Sequence, residues 1–341
     1  MRILRREKNV ELINIVRDAD ENVSLQSSDG KRLRLWAYLA PLLAVPLLVL
    51  AAAILVVPTD WFAMRSHSDY LATVGYGADL RNSNCPITIY GDSTAMVGIN
   101  PQLIQKRTGL ATCNIAEVEG MTMLFDTIVL DKFLQQNPRP RFLVFLYSPE
   151  NLDPQSQRNN PEMSKFEAIR FRFQQPDKLV AMIELMRHPE DFFLWAERGT
   201  RMAIHGIFTK PFPAQIRLIR QKTLGQLALN EPDLLSCAYP RRTVPPNRAW
   251  VQSLRSRYNI EGTTVLVDAM PLPECDPDLA YFRSELSGVI DNHLEAFSVN
   301  DYYAGGGGGR HANSRGAVPL SNMVADQILS RLHSGPTIGA R

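Results

Sequence analysis

The chain has 341 residues and a formal net charge of +2 at pH 7. This length is enough for one sizeable core or two smaller ones, and the near balance of charge gives no indication of a nucleic-acid partner. An apolar content of 45%, with 8% aromatic residues, excludes wholesale disorder.

An uncharged apolar run, LWAYLAPLLAVPLLVLAAAILVV at 35–57, follows a mixed-charge arm at 1–34. A helix needs roughly 20 apolar residues to cross the hydrocarbon core of a bilayer, and this run is long enough. A cleaved signal peptide is the weaker alternative, because the run is too long and lies behind the polar arm. We therefore expect one transmembrane helix over 35–58.

The charges on either side of this run predict its orientation. Lys31, Arg32 and Arg34 lie directly before it, whereas Asp60 is the first charged residue after it. Because cytoplasmic flanks carry the excess of lysine and arginine, the N-terminus is expected in the cytoplasm. Everything from about Thr59 onward should then lie outside the cytoplasm, in the periplasm or on the extracellular face.

The four cysteines, Cys85, Cys113, Cys237 and Cys275, have no CxxC spacing and no neighbouring histidine pairs, so a zinc site is not indicated. In an oxidising compartment the even number permits two disulfides. Neighbouring parallel strands would bring Cys85 and Cys113 together, and Cys237 with Cys275 would be the other pair. Buried thiols without bridges remain the alternative, since spacing does not give bridge geometry.

After a connecting region at 59–84, strand-like and helix-like segments alternate within 85–334. This pattern predicts an α/β sandwich with a mainly parallel sheet, interrupted by a helical insertion at about 150–246 and followed by a tail at 335–341. The predicted strands are ITIY (87–90), LATCNIA (110–116), RFLVFLYSP (141–149) and TTVLVDAMP (263–271). The predicted helices are PQLIQKRTG (101–109), GMTMLFDTIVLDKFLQQNPRP (120–140), DKLVAMIELMRH (177–188), AQIRLIRQKTLGQLAL (214–229) and PLSNMVADQILSRLH (319–333).

Gly91, Asp92 and Ser93 end the first predicted strand, directly before a helix. Such a turn places Ser93 at the carboxyl edge of the sheet, where open α/β folds bind ligands. Gly91 supplies a backbone conformation that a side chain would obstruct. The Ser93 hydroxyl would lie near unpaired N–H groups, suited to attack on an acyl carbonyl whose oxyanion the Ser93 N–H helps to hold. The alternative is that Asp92 or Ser93 only caps the helix.

A Gly-Asp-Ser turn after the first strand of an α/β domain resembles the SGNH (GDSL-type) hydrolase superfamily, particularly its membrane-anchored members that acylate or deacylate extracytoplasmic polysaccharides. The resemblance spans roughly Pro86 to His333 and implies a three-layer, SGNH- or flavodoxin-like sandwich. It implies that Ser93 is the nucleophile and that Gly120, in CNIAEVEGMTM, is an oxyanion donor. Asn151 would be the third donor, although its block reads LYSPENLDP where the family has Gly-x-Asn-Asp.

The C-terminal block, NDYYAGGGGGRHANSRGAVPLSNM, resembles the histidine loop of the same family and implies that His311 is the catalytic base. The family has an aspartate three residues before this histidine, where the present chain has Gly308. Without that carboxylate the imidazole loses its orienting partner, although the rest of such a site can retain activity. Asp301 is the candidate to replace it from across the glycine run at 305–309.

The residues around His311 leave two further questions open. The glycine run at 305–309 suits either a loop that closes over substrate or an insertion without a role. His311 between Arg310 and Arg315 suits either a catalytic base or a surface histidine in a cationic segment. If it is catalytic, the two arginines would suit an anionic or carboxylate-bearing substrate.

The expected function is that of a membrane-anchored extracytoplasmic serine esterase or O-acyltransferase acting on acyl groups of a cell-envelope or exported polysaccharide. No cofactor, metal or nucleic acid is indicated, and a transferase would need an acyl donor, delivered by a separate membrane-bound protein. The competing hypothesis is a catalytically inactive scaffold or glycan-binding component of a polysaccharide synthesis or export machine. Gly308 favours the scaffold, whereas the Gly-Asp-Ser turn and the histidine block favour the enzyme.

Overall fold

The structure, a computed structural model, describes residues 76–118, 127–153, 173, 177–208, 212–228, 243–302 and 310–334, with 36–42, 44–45, 47–48, 51, 55–56 and 59 nearer the N-terminus. The chain divides into two compact units, Met1–Leu55 and Val56–Arg341. The predicted arm at 1–34, most of the connecting region at 59–84 and the tail at 335–341 lie outside the described residues.

The second unit contains the strands and the helices that surround them. The strands are β1 (Ile87–Gly91), β2 (Thr112–Asn114), β3 (Phe142–Tyr147), β4 (Thr264–Ala269), β5 (Leu272–Pro273) and β6 (Ala296–Phe297). The helices are α1 (Ser93–Gly98), α2 (Pro101–Thr108), α3 (Ile128–Gln136), α4 (Lys178–Met186), α5 (Pro189–Phe208), α6 (Phe212–Lys222), α7 (Arg248–Tyr258), α8 (Leu279–Leu286) and α9 (Ala317–His333). Short 3-10 turns span Pro149–Asn151 and Val299–Asp301.

The first four strands form one parallel sheet in the order β2-β1-β3-β4, which confirms the predicted α/β class with a parallel sheet. The first strand, β1, lies inside the sheet, and the second, β2, forms one edge. The chain then crosses back past β1, and β3 pairs on the other side of β1. The strand order therefore reverses between β1 and β3. In open α/β sheets this switch point is where the carboxyl ends of the strands leave a crevice for ligands.

Both faces of the sheet are covered, because alternate residues of β3 enter two different hydrophobic cores. Phe142, Val144 and Leu146 pack with α1, α2 and α9, whereas Leu143 and Phe145 pack with α3, α7 and α8. All six residues of β3 are buried. A strand covered on both faces has an uninterrupted apolar sequence, and this is why FLVFLY was recognisable as a central strand.

Helix ends follow from local capping chemistry where the sequence gives a clear signal. Asn100 caps α2 by accepting from the N–H groups of Gln102 and Leu103, and Gly109 ends the helix in the left-handed conformation, with φ of 72°. The predicted bounds of this helix are confirmed. α7 and α8 were not predicted, although Asn247 accepts from the Trp250 N–H and so caps α7.

The cysteines in the described residues form disulfides. Cys85 and Cys113 are bridged, with their Cα atoms 5.7 Å apart. Thr88 of β1 is aligned with Cys113 of the neighbouring strand β2, and its hydroxyl donates to the Cys85 carbonyl at 3.1 Å. The turn before β1 therefore places Cys85 beside Cys113. Cys275 is also disulfide-bonded, whereas Cys237, its predicted partner, lies outside the described residues.

The described residues between 36 and 56 are helical in short stretches. Their large apolar side chains are exposed, including Trp36 at 63%, Leu42 and Leu48 at 68% and Leu55 at 72%. Among the residues that the structure describes, none belongs to a helix with the length and apolar character needed to span a bilayer.

Candidate active site

The turn after β1 is shaped by close contact with β3. A Cβ atom on Gly91 would lie 1.8 Å from the carbonyl oxygen of Leu146, the residue aligned with Gly91 on β3. No side chain fits in that space, so this position requires glycine for steric reasons. The chain then turns through Asp92 into α1, which begins at Ser93.

Asp92, and not Ser93, is the residue that caps α1. Its Oδ1 accepts hydrogen bonds from the backbone N–H of Thr94, at 2.9 Å, and from the Thr94 hydroxyl. Of the two residues that the sequence offered as a cap, Asp92 is the one that caps the helix. It leaves the Ser93 hydroxyl with a different partner, and this side chain is only half-buried.

Ser93 and His311 form the central contact of the site. The Nε2 atom of His311 lies 2.9 Å from Ser93 Oγ, which is within hydrogen-bond distance. His311 is buried, with 8% of its surface exposed, so it is not the surface histidine of the alternative interpretation. When Nε2 is unprotonated, the Ser93 hydroxyl donates to it, which is the arrangement of a serine nucleophile and its general base.

Burial and two carboxylates determine the protonation of His311. Burial lowers the pKa of the imidazole from its ordinary value, while the negative charges of Asp92 and Glu150 act in the opposite direction. The net direction is downward, so the neutral imidazole predominates at pH 7. A neutral imidazole is the form that accepts a proton from serine.

Asn151 is linked to the nucleophile turn through Asp92. The second carboxylate oxygen of Asp92, Oδ2, accepts from the Asn151 side-chain amide at 2.7 Å and from the Ser148 N–H at 2.8 Å. Burial raises the pKa of Asp92, and these hydrogen bonds, with those from Thr94, oppose the rise. β1 and β3 are neighbours in the sheet, so the loop after β3 lies beside the turn that carries Ser93. The two hydrogen bonds to Asp92 fix this loop against that turn.

The segment after β2 runs towards the predicted oxyanion glycine. The Glu117 N–H donates to the Gly91 carbonyl at 2.9 Å, so the chain continues alongside the end of β1 beyond the last residue of β2. Gly120 follows three residues later and lies outside the described residues. Its role as an oxyanion donor stays a prediction.

The insertion supplies a buried arginine to this same segment. The guanidinium of Arg220, on α6, donates to the carbonyls of Ala116 at 2.8 Å and Asn114 at 3.1 Å, and lies 4.5 Å from the ring centroid of Tyr76. Burial lowers the pKa of Arg220 to about 10. Arg220 thus joins the helical insertion to the segment that follows β2. Arg220 was not predicted, because the sequence IRLIRQK is equally typical of a solvated helix.

Arg310, which was expected to face an anionic substrate, is buried instead. Its side chain is 5% exposed, and Nη1 lies 2.8 Å from Oε2 of Glu150 while Nε lies 2.8 Å from Oδ2 of Asp276. Burial by itself would lower the pKa of Arg310, but the carboxylates of Glu150 and Asp276 outweigh it and raise the pKa. With its guanidinium buried against these carboxylates, Arg310 is not placed to bind an anionic substrate, which the sequence had suggested for the case that His311 is catalytic.

The backbone of Asp301 is hydrogen-bonded to the segment that carries His311. Its carbonyl accepts from the Asn313 N–H at 2.8 Å, and the next residue, Tyr302, forms an antiparallel bridge with Ala312. Asp301 is partly exposed. Its role as the carboxylate partner of His311 stays a prediction, and Gly308 lies outside the described residues.

One group in the described part of the chain has suitable atoms for a metal ion: those of His188, Glu190 and Asp191, all within 4.8 Å of one another. His188 Nδ1 already lies 3.5 Å from Oε1 of Glu190, and both side chains are about two-thirds exposed. Exposed acidic groups often lie together without a metal, and we assign no metal site to them.

Comparison of the chain with protein-family models, with curated proteins and with solved structures finds no match.

Proposed function

We propose that the protein is an extracytoplasmic serine esterase or O-acyltransferase with an SGNH-like three-layer fold. The observation that supports this most strongly is the 2.9 Å contact between Ser93 Oγ and His311 Nε2 at the switch point of a parallel sheet. A hydroxyl paired with a buried neutral imidazole is the minimum arrangement for acyl transfer through a covalent intermediate. The nucleophile is half-buried, so substrate can reach it.

In the proposed reaction, Ser93 Oγ attacks the carbonyl carbon of an ester, and the hydroxyl proton moves to His311 Nε2. The tetrahedral intermediate then collapses: the bond to the alcohol breaks, and the imidazolium returns the proton to the leaving oxygen. The resulting acyl-serine is attacked by water in an esterase or by a sugar hydroxyl in a transferase. The N–H groups of Ser93 and Gly120 and the Asn151 amide are the proposed oxyanion donors.

Two observations favour action outside the cytoplasm. The Cys85 to Cys113 disulfide suits an oxidising compartment. The exposed apolar residues between 36 and 56 suit a single-pass helix over 35–57 with lipid around it. The resemblance to polysaccharide-modifying SGNH enzymes extends the proposal to acylated glycans of the cell envelope, with a membrane-bound acyl-donor protein as partner if the reaction is a transfer.

The second candidate function is a glycan-binding or scaffold component in which the same fold has lost catalysis. Gly308, at the place of the family's orienting aspartate, is the observation that favours it. The two candidates differ in one property, which is whether the Ser93 hydroxyl is activated.

Labelling of the full-length protein in detergent micelles with a serine-directed fluorophosphonate tests this difference. We expect labelling that disappears in Ser93→Ala and falls strongly in His311→Ala. Ser253→Ala and His188→Ala, at exposed positions on α7 and before α5, are the matched controls and should label like the wild type. A folded wild-type protein that does not react would favour the scaffold, and glycan binding would then be measured instead.

A further inference from the structure

The residue before His311 is the centre of a buried ionic cluster. Arg310 Nη1 lies 2.8 Å from Oε2 of Glu150, Nε lies 2.8 Å from Oδ2 of Asp276, and Nη2 lies 3.1 Å from Oδ1 of Asp276. Nη2 also lies 3.5 Å from a carboxylate oxygen of Asp278. We call these four residues the Arg310 cluster. Their side chains are at most 9% exposed.

The Arg310 cluster joins three separate parts of the fold. Glu150 lies in the 3-10 turn after β3, beside Asn151, while Asp276 and Asp278 lie between β5 and α8. Arg310 brings the histidine segment to both. An arginine that binds a carboxylate through two N–H groups fixes the orientation of its own backbone as well as its distance, which a single contact does not.

The cluster is not explained by stability alone. Three carboxylates surround one guanidinium, and buried ions are often no more stabilising than apolar residues of the same volume. Besides its contact with Arg310, the carboxylate of Glu150 accepts a hydrogen bond from the Ser148 hydroxyl at 2.5 Å. Ser148 in turn donates its N–H to Asp92. The cluster is thus connected through the loop after β3 to the turn that carries Ser93.

Further backbone and side-chain contacts hold the described residues that follow His311. Ala312 is bridged to Tyr302, and the Asn313 side chain donates to the carbonyls of Asn300 and Tyr302. Before His311 the sequence has five successive glycines at 305–309, and glycine is the residue that loses most conformational freedom on ordering. Arg310 is therefore the first residue with a side chain between this run and the histidine.

We propose that Arg310 is the positioning residue for His311. Its cluster holds the histidine segment so that Nε2 lies within hydrogen-bond distance of Ser93 Oγ. This inference rests on the proposed serine chemistry for its catalytic meaning. Arg310 acts through His311 and does not touch the reacting atoms.

Two variants of the full-length protein test the role of the cluster. Arg310→Lys keeps the charge but cannot bind Asp276 through two donors while reaching Glu150, and Glu150→Gln keeps the size but removes the charge. Arg255→Lys is the matched control. Arg255 donates to Asp291 at 2.8 Å from α7, on the opposite face of the sheet from α1.

The first measurement is the rate of fluorophosphonate labelling as a function of pH. We expect Arg310→Lys to slow labelling by roughly ten- to a hundredfold, since a misplacement of about 1 Å has effects of this size. Glu150→Gln should move the midpoint of the pH profile to lower pH, because one carboxylate that favours the imidazolium is removed. Arg255→Lys should match the wild type in both respects.

The second measurement is the titration of the His311 imidazole by NMR with isotope-labelled histidine, assigned by its loss in His311→Ala. Among the described residues, the charges of Asp92 and Glu150 act on this imidazole. Arg310 is its chain neighbour, with Asp276 and Asp278 paired to Arg310, and Asp301 and Arg315 lie on the flanking segments. We expect the chemical shifts and the midpoint of His311 to change in Arg310→Lys and Glu150→Gln but not in Arg255→Lys.

The two proposals fail in distinguishable ways. A wild-type protein that does not label removes the serine chemistry, yet the His311 titration still reports whether Arg310 positions the ring. A wild-type protein that labels, together with folded Arg310→Lys and Glu150→Gln variants of unchanged rate, midpoint and chemical shift, would overturn the positioning role alone. If Arg310→Lys does not fold, the labelling rate of Glu150→Gln above its midpoint decides the outcome, because the midpoint itself moves through the lost charge alone: a slower rate supports the positioning role, and an unchanged rate overturns it.

Discussion

Ser93 and His311 are 218 residues apart in the chain, and their side chains are 2.9 Å apart in the fold. Ser93 begins α1 after the central strand β1, and His311 lies in the segment that leads into α9. α9 packs against α2 and α1 in the same hydrophobic core. Formation of this core therefore brings the two side chains together, and the contact depends on the closing helix being in place.

The protonation of His311 gives the first prediction. Only the neutral imidazole accepts the serine proton, so the labelling rate should fall as pH falls through the pKa of His311. Burial lowers this pKa, and the midpoint should lie below the ordinary histidine value of about 6.5. Measuring the labelling rate of the wild type from acid to neutral pH locates the midpoint.

A histidine substitution checks the assignment of that midpoint. His311→Gln should lose the pH dependence and reduce the rate by about a hundred- to ten-thousandfold, the range for removal of a general base. His188→Gln removes an exposed histidine and should leave both quantities unchanged. A pH profile that survives in His311→Gln would assign the titration to another group.

Asp92 gives the second prediction. Four groups donate hydrogen bonds to its carboxylate, and each of them requires an acceptor there. Asp92→Asn replaces one oxygen by an NH₂ group, which must face either Thr94 or the pair Ser148 and Asn151. Breaking a buried charged network of this kind costs about 3 kcal/mol of unfolding free energy. Denaturant unfolding of the variant and the wild type measures the loss.

Asn151→Ala separates the structural role of Asn151 from its predicted catalytic role. Asp92 keeps the Ser148 N–H, so the free energy of unfolding should fall by only about 1 kcal/mol. If the amide also holds the oxyanion, the labelling rate should fall by about a hundred- to a thousandfold. If Asn151→Ala loses the expected stability but labels at nearly the wild-type rate, Asn151 only holds Asp92 in place and does not bind the oxyanion.

Much of this site was predictable because its signals are local. The uninterrupted apolar run of β3, the Gly91 to Ser93 turn and the cap of α2 each follow from a few adjacent residues. His311 was identified by its place before the closing helix. For the same reason the carboxyl edge of the sheet was the expected place for chemistry, and this is where the two side chains meet.

The buried arginines were not predictable from such signals. Arg310 stands next to glycines and Arg220 on a helix of mixed polarity, and both sequences are typical of solvated cations. Their partners are remote in sequence, since Asp276 is 34 residues from Arg310 and Asn114 is 106 from Arg220. Pairing of charges and carbonyls at such separations leaves no periodic pattern.

The disulfide between Cys85 and Cys113 gives the fourth prediction. It closes a segment with a sequence separation of 28. The loss of loop-closure entropy in the unfolded chain predicts a stabilisation of about 3 to 4 kcal/mol. Denaturant unfolding of the oxidised wild type and of a Cys85→Ala, Cys113→Ala double variant measures this difference. An equal midpoint in the two proteins would contradict it.

Asp268 gives the fifth prediction, which concerns how stability depends on pH. This residue of β4 is fully buried, and its Oδ1 accepts from the Gln327 amide of α9 at 2.9 Å. Burial, with a smaller contribution from the charge of Asp291, raises its pKa to about 7. The folded state therefore holds this proton more tightly than the unfolded chain, where an aspartate has a pKa of about 3.9.

The sign of the effect follows from this difference. The favourable contribution of the protonated group is complete below about pH 4 and is lost as pH rises through about 7. Asp268→Asn imitates the protonated acid, so the variant should be more stable than the wild type at pH 8, by on the order of 4 kcal/mol. The advantage should disappear near pH 4.

Asp326→Asn is the control on the same helix as Gln327. Asp326 is 55% exposed and pairs with Arg107, and an exposed pair of this kind contributes at most about 1 kcal/mol. Thermal unfolding of both variants and the wild type at pH 4 and pH 8 gives the comparison. If Asp268→Asn is no more stable than the wild type at pH 8, Asp268 is ionised there without cost, and its raised pKa is wrong.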